Sequence, residues 1–551
     1  MLAARTLRGD TLFIWLISLC DANFIYDTRS DPLETINLLD DPSIADVQTE
    51  LEERFAFFQT VDFTKDEVDL TGSGEIWSAA GGVTPLNDLD EAEKDVIAVG
   101  IPAEEAPNIV MILLDDVGLN DVNLDHTSTW LDFATPNMDR IASMGVVLAN
   151  HYSAWVCGPC RASFLTGRYP YRLGYGEVPG TGEVNLPLGE STLAQELVEN
   201  GYRTALIGKW HLGLQTWAHT PLFRGFDRFY GYYSGSVGYF SKEAQSGFLD
   251  LQDDLGVVTA ANETSLSMHL THLLQAKAED AIYTHAATYP DLPLFLYYAL
   301  ENVHTGASEG FEAPQEYLDM CTQAAGDDDD GDDGDTYDLQ AYCALVVMMD
   351  EAIGDTLCAL EGAGMGDNTV LVVASDNGGF GNVASSSYPF RGNKGSYVQG
   401  GVKTAAFLYA GPALLPDVAR GTTYYGLMHI SDWYPTFLGL ASGGEWDGVP
   451  MSGNELDSHD MFAAIVTNAS SPRLELFVNW DASRADGAMQ VGDYRYIFGS
   501  NPGVAEGGVV FEAGSTITEA ATCSFEILET VDTSMWSILS LGSYSYSLSM
   551  Q

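Results

Sequence analysis

The densest set of reactive residue types is Cys157-Gly158-Pro159-Cys160-Arg161, continued by Ala162-Ser163-Phe164-Leu165-Thr166-Gly167-Arg168. Pro159 suits the first turn of a helix, where its missing N–H costs nothing. Gly167 suits the residue just past the helix end. Cys157 then stands at a helix N-terminus, where free N–H groups and the dipole favour an anion. Arg161 adds a fixed charge with a fork of donors. A lone cysteine beside a turn is more often simply buried, so its partners decide what this one does.

Four polar clusters each follow an apolar run. Asp115-Asp116 follows Ile109 to Leu114, and Lys209 and His211 follow Thr204 to Ile207. His304 follows Leu294 to Leu300, and Asp376-Asn377 follows Thr369 to Ala374. Asp115, Asp116, Asp376 and Asn377 form a hard, oxygen-rich donor set that suits Ca²⁺ or Mg²⁺ better than Zn²⁺, and Ca²⁺ tolerates irregular geometry best. Arg161, Lys209, His211, His304 and Lys394 supply the positive or protonatable groups. One metal with several cations is built for a multiply oxygenated anion such as sulfate or phosphate.

The elements that must position these residues read as an α/β fold. Continuous apolar runs mark strands buried on both faces, and they alternate with helical spacing at 135–148, from Leu193, and at 341–361. Ligand sites in open α/β sheets gather at the carboxyl ends of strands, so the four clusters should share one crevice. The predicted architecture is a large, mostly parallel central sheet flanked by helices. A small C-terminal antiparallel sheet subdomain is predicted from strands at 474–479 and 490–498. The domains read as a signal peptide at 1–22, an acidic, poorly ordered extension at 23–106, a catalytic domain at 107–440, and a C-terminal subdomain and tail at 441–551. Asp327 to Asp335 reads as a solvated insertion, which Cys321 and Cys343 could clamp.

Composition narrows the partners. Acidic residues number 79 against 23 basic, a formal net charge of −56, which repels nucleic acid and anionic membranes. Arg5 and Arg8 before the apolar Leu12 to Leu19 form a secretory signal with a cut near Ala22, or alternatively a signal anchor. No later segment is apolar enough to span a bilayer, so no stable span is expected once the signal is removed. Cys20 leaves with the signal; Cys321, Cys343, Cys358 and Cys523 could form disulfides in an oxidising compartment, with the pairing open. Asn262 and Asn468 begin glycosylation sequons. Together these point to a secreted, endomembrane or lysosome-like location.

The motifs resemble those of type I, formylglycine-dependent sulfatases, within the alkaline phosphatase superfamily. The resemblance runs through Pro107-Asn-Ile-Val110, Leu114-Asp-Asp-Val-Gly118, Cys157 to Arg168 and Gly208-Lys-Trp-His-Leu-Gly213. It continues in Arg224-Gly-Phe-Asp227, Val303-His304, Ser375-Asp-Asn-Gly-Gly379 and Arg391-Gly-Asn-Lys394. Tyr230-Gly-Tyr and His429-Ile-Ser-Asp-Trp-Tyr-Pro-Thr436 are similar to the arylsulfatase B-like branch. The resemblance implies hydrolysis of a sulfated carbohydrate or aryl sulfate. It implies that a formylglycine-generating enzyme oxidises Cys157 to Cα-formylglycine, whose hydrate is the nucleophile. It places one Ca²⁺ on Asp115, Asp116, Asp376 and Asn377, with the converted Cys157 beside it. Arg161 and Lys209 would steady sulfate oxygens, His211 would act as base, and His304 and Lys394 would face the leaving oxygen.

Several positions depart from the pattern. Cys160 stands where Ser is usual and could pair oxidatively with an unconverted Cys157. Gln399 replaces Glu, Lys403 replaces Arg, and Asn302 replaces a small hydroxyl residue and is expected to alter sulfate contacts. Trp155, Trp217, Tyr232, Tyr233 and Tyr239 line either a sugar cleft or the core. The rival activities are a phosphodiesterase or phosphonate-ester hydrolase on the same scaffold, and a non-catalytic sulfated-glycan binder with an unmodified Cys157.

Overall fold

The computed structural model describes residues 24–27 and 106–498, apart from 125–130, 132, 177–183, 260–263, 308–309, 323–332, 382–383 and 482–485. The signal, most of the acidic extension, Asn262, Cys523 and the tail after 498 lie outside the described residues, as does most of the Asp-rich insertion.

In chain order the strands are β1 (Phe24–Asp27), β2 (Asn108–Leu114), β3 (Val146–Leu148), β4 (His151–Tyr152), β5 (Arg203–Lys209), β6 (Arg228–Tyr232), β7 (Gln252–Asp253) and β8 (Gly256–Val257). They continue as β9 (Leu294–Ala299), β10 (Thr369–Ser375), β11 (Ala406–Ala410), β12 (Thr422–Tyr424), β13 (Met428–His429), β14 (Glu475–Asp481), β15 (Asp486–Val491) and β16 (Tyr494–Phe498). The helices that matter here are α1 (Pro136–Ser143), α2 (Cys157–Thr166), α3 (Leu193–Glu199), α4 (Leu270–Thr288), α5 (Gln315–Met320), α6 (Asp333–Gly362) and α7 (Trp433–Ala441).

The central sheet has the order β12-β3-β11-β10-β2-β9-β5-β6-β7-β8. Its middle five strands, β10-β2-β9-β5-β6, are all parallel. Antiparallel β11 follows β10 directly, so the sheet is mixed outside that middle. The unbroken apolar runs follow from burial on both faces. In β2, Ile109, Met111 and Leu113 enter one core, while Val110, Ile112 and Leu114 enter the other. In β9, Phe295 and Tyr297 alternate in the same way with Leu296 and Tyr298. Helices α2, α3 and α7 cover the first face, and α4 and α6 cover the second. Truncating such a strand residue to Ala removes its burial and leaves a cavity, a loss of about 2–5 kcal/mol.

Three boundaries differ from the sequence reading. The helical spacing at 135–148 stops at Ser143, and Val146–Leu148 pairs with β11 and β12 instead. Gly145 explains the break: a Cβ there would lie 2.2 Å from the Leu408 carbonyl oxygen, so the chain enters the sheet where only glycine fits. The apolar stretch 490–498 is not one strand but β15 and β16, folded back at Gly492. The helix predicted at 341–361 begins earlier, at Asp333.

A smaller antiparallel sheet, in the order β1-β16-β15-β14, packs beside the main one. Its edge is β1, which the extension contributes by pairing Phe24–Asp27 with Tyr494–Ile497. Arg473, buried against Asp432 at 2.5 Å, ties the chain leading into this sheet to the start of α7. Asn479 Nδ2 donates to the Gly176 carbonyl at 3.0 Å and links the sheet to the loop after α2. Cys321 and Cys343 form a disulfide joining the end of α5 to α6. Cys157, Cys160 and Cys358 are free thiols. Among the described residues no helix is long and apolar enough to cross a membrane.

Candidate active site

Strands β10, β2, β9 and β5 are neighbours and run the same way, so their carboxyl ends lie side by side. Asp376 and Asn377 leave β10, Asp115 and Asp116 leave β2, the turn Glu301–His304 follows β9, and Lys209 ends β5. Gly208 explains the close approach just before Lys209: its φ is +106°, and a Cβ there would sit 1.9 Å from the Ala299 carbonyl oxygen.

Helix α2 brings Cys157 to this edge. Val156 is extended, Cys157 is the first helical residue, and Gly167 closes the helix in the left-handed conformation at φ 70°. All ten residues of the helix are buried. The Cys157 thiol lies 3.5 Å from Asp115 Oδ1, and Lys394 Nζ donates to its sulfur at 3.2 Å. Burial, reinforced by Asp115 and opposed by Lys209 and Lys394, pushes the thiol up to about 12. At neutral pH it is therefore protonated and a weak nucleophile.

The carboxylates and cations interlock. Arg161 Nη2 reaches Asp115 Oδ2 and Asp376 Oδ2, both at 3.0 Å, and Lys209 Nζ also pairs with Asp115 Oδ2. Lys394 Nζ pairs with Asp116 Oδ1 at 2.5 Å, and Asn377 Nδ2 donates to that same oxygen at 2.8 Å. Burial raises the Asp115 carboxyl, but Lys209, His304, Arg161 and Lys394 outweigh it and hold the group well below the usual carboxylate range. Asp376 goes the other way: burial and the neighbouring Asp115 charge push it up to about 7. Three carboxyl groups thus face three side-chain cations, and a divalent ion among them makes the centre net positive.

A hard cation fits these donors. Asp115, Asp116, Cys157 and His304 offer ligand atoms within 4.8 Å of one another. Asn377 Oδ1 is buried without a hydrogen-bond partner, as a carbonyl oxygen left for a cation would be. His304 joins this group from the β9 turn, its Nε2 3.7 Å from Asp116 Oδ2. Its Nδ1 lies 2.7 Å from the Thr305 carbonyl, which fixes the proton on Nδ1 and turns the Nε2 lone pair to the cluster. Burial, then Lys394, lower its pKa. His211 is held neutral by burial and by Lys209 and Arg161, and its Nδ1 has no hydrogen-bond partner. Gly235 makes room for its ring, since a Cβ there would lie 2.9 Å from His211 Nε2.

The substituted positions fall into place around this cluster. The Cys160 sulfur lies 2.9 Å from the Ser153 hydroxyl, which itself donates to the Asp376 carbonyl at 2.6 Å. Cys160 therefore supports the loop that carries Asp376. Gln399 accepts from the Tyr152 hydroxyl at 3.1 Å, and Lys403 Nζ donates to Asn150 Oδ1 at 3.0 Å. Asn302 corrects the sequence reading: it accepts from Thr271 at 2.7 Å and donates to the Leu345 carbonyl at 2.9 Å, so its side chain binds α4 and α6 and not the anion centre. Trp155, Tyr232 and Tyr239 are core residues, whereas Trp217 is exposed.

Two roles escaped sequence reasoning. Glu301 is buried, its Oε2 unpartnered and its Oε1 3.9 Å from His304 Nδ1. Burial pushes its carboxyl well up, against the pull of Lys209. An acidic residue directly after an apolar strand was the available signal. Tyr239 holds the turn that presents His304, its hydroxyl donating to the Glu301 and His304 carbonyls at 3.3 and 2.8 Å.

The family model described as "Sulfatase" matches residues 107–444. Mouse arylsulfatase J is 32% identical over 389 residues, covering 69% of this chain and 59% of that protein's own length. Human arylsulfatase A is 29% identical over 425 residues, covering 73% and 76%. Mouse N-acetylgalactosamine-6-sulfatase is 30% identical over 63% of this chain and 64% of its own. The crystal structure of Ps i-CgsB in complex with k-i-k-neocarrahexaose superposes with a TM-score of 0.60 at 26% identity, over 71% of this chain and 84% of that one.

Proposed function

The chain belongs to the sulfatase family, and on that premise we propose that it is an enzyme that hydrolyses sulfate esters. The supporting observation is the placing of Cys157 at a buried helix N-terminus, between Asp115 and Lys394, with a thiol too basic to attack as a thiolate. A cysteine so placed serves better as the precursor of another group.

When Cys157 is converted to Cα-formylglycine and Ca²⁺ is bound, the hydrated aldehyde supplies a hydroxyl nucleophile and the ion lowers its pKa. Asp115, Asp116, Asp376 and Asn377 are the residues that would hold the ion. Arg161 and Lys209 fix the carboxylates in place, and their charge favours the sulfate oxygens. Lys394 donates towards the position of the leaving oxygen. His304 presents Nε2 to take or return a proton there, and the neutral His211 has a lone pair free to accept one.

A sulfated carbohydrate is the favoured substrate class, with an aryl sulfate as the simpler surrogate. The similarity to N-acetylgalactosamine-6-sulfatase and to the neocarrahexaose complex supports it. The Cys321–Cys343 disulfide and the exposed Asn468 support maturation in the secretory pathway, where a formylglycine-generating enzyme would act on Cys157.

The test combines mass spectrometry of the tryptic peptide 141–161 with assay of sulfate release from an aryl sulfate. Replacement of the Cys157 CH₂–SH by CHO, with turnover lost in Cys157→Ala, is expected. An intact thiol in an active protein, or equal activity in the variant, sinks the mechanism. Faster turnover of an aryl phosphodiester would move the assignment to phosphoester hydrolysis.

A further inference from the structure

Three residues beyond Asn377 an aromatic ring stands in the open. Phe380 lies in Gly378-Gly379-Phe380-Gly381 and is 38% exposed. Its backbone is pinned on one side: a Cβ on Gly378 would sit 1.8 Å from the Gly400 carbonyl oxygen, and one on Gly379 1.8 Å from Ser385 Oγ. Single exposed phenylalanines are common on protein surfaces. This one differs in its neighbour, because its ring centroid is 5.9 Å from Lys394 Nζ. The same ammonium touches the Cys157 sulfur at 3.2 Å. Exposure rises along that line, from 4% at Cys157 to 13% for the Lys394 side chain and 38% at Phe380.

A sulfate ester bound with its sulfur at Cys157 occupies the inner end of the line. Its alcohol portion has to extend outward past Lys394, and the half-exposed Phe380 ring stands 5.9 Å from that ammonium. We propose that Phe380 is a substrate-binding platform on which the ring of the leaving alcohol lies, a residue that selects among the cyclic sulfate esters already named. An aromatic face accepts the apolar C–H face of a sugar or the face of a phenol, and such contacts add to simple area burial. Lys394, its ammonium 5.9 Å from the ring centroid, orients the ester oxygen while the ring is seated. This inference rests on the sulfate-ester reading.

The test measures kcat and KM for three esters, an aryl sulfate, a sulfated monosaccharide and a short acyclic alkyl sulfate, with wild type, Phe380→Ala and Phe380→Tyr. Expected is a rise in KM of about tenfold in Phe380→Ala for the ringed esters, exceeding any change in kcat, with Phe380→Tyr restoring it. The acyclic ester should change less than about twofold. A response from the sugar ester alone narrows the class to carbohydrates, and from the aryl ester alone to phenols. An equal rise for the acyclic ester, or none for either ringed ester, overturns the platform. Calorimetric binding of the same esters to Cys157→Ala, with and without Phe380→Ala, decides the platform separately. If no ester is turned over the sulfatase reading falls, while an unchanged Kd in the double variant removes Phe380.

Discussion

The ammonium of Lys394 bridges Asp116 and Cys157, 2.5 Å from the carboxylate oxygen of one and 3.2 Å from the sulfur of the other. No other cation among the described residues makes a hydrogen bond to the Cys157 sulfur. Because it joins Asp116 to Cys157, the residue proposed to carry the nucleophile, its loss should act mainly on turnover.

Lys394→Met should lower kcat for an aryl sulfate by about a hundred- to a thousandfold, the usual effect of removing one preorganised donor to developing charge. Steady-state kinetics checks this. A variant changed only in KM would place Lys394 in ground-state binding instead.

Asp115 and Asp116 offer ligand oxygens within 4.8 Å of Cys157 and His304, and Asp376 shares the Arg161 guanidinium with Asp115, so an ion that binds the folded state alone should stabilise it. At a free concentration a hundred times its Kd, Ca²⁺ should add about 2.7 kcal/mol. Chelation should lower the thermal midpoint, and Ca²⁺ should restore it more fully than Zn²⁺. An unfolding curve indifferent to chelator would remove the metal from this centre.

Tyr239 acts on catalysis only through His304, since its hydroxyl bonds the carbonyls of the turn that carries the imidazole. Tyr239→Phe keeps the ring stacked on His269 and deletes that bond. Losing a hydrogen bond of about 0.5–1.5 kcal/mol should slow turnover about two- to tenfold. The loss should be greater for esters with basic leaving groups, which need a proton, than for nitrophenyl sulfate. A uniform loss across leaving groups would indicate general loosening of the fold.

His151 sets a pH signature of its own. It is fully buried, and burial pushes its imidazole down to about 4 against the opposing pull of Asp432. Between pH 6.5 and 4 the unfolded chain binds this proton and the folded chain does not, so stability is lost as pH falls through that window. His151→Gln should flatten the acid limb by one proton, about 1.4 kcal/mol per pH unit. Chemical denaturation at pH 7, 6, 5 and 4 gives the slope, and an unchanged slope in the variant would show that His151 titrates normally in the fold.

The parallel centre of the fold was legible because β2, β5, β9 and β10 are buried on both faces and so carry unbroken apolar runs. Their polar endings were legible for the same reason: Asp115, Lys209 and Asp376 stand out where such a run stops. Boundaries set by backbone contact were not. Val146 to Leu148 continues the apolar spacing of α1, and only the approach of Gly145 to the Leu408 carbonyl sends it into the sheet. Side-chain direction was equally hidden. Asn302 and His304 are two residues apart in one turn, yet one points to α4 and α6 and the other to Asp116. Tyr239 was visible as an aromatic residue, but nothing in the residue order showed that its hydroxyl would reach a turn more than sixty positions later.

On the proposed modification of Cys157, the burial of α2 sets an order of events in the making of the protein. Its ten residues are all enclosed, and the Cys157 side chain shows only 4% of its surface. The finished molecule leaves little of this residue for a modifying enzyme to reach. On that reading, chemical change at Cys157 and completion of the fold compete in time. A chain that folds first would then keep the inert thiol.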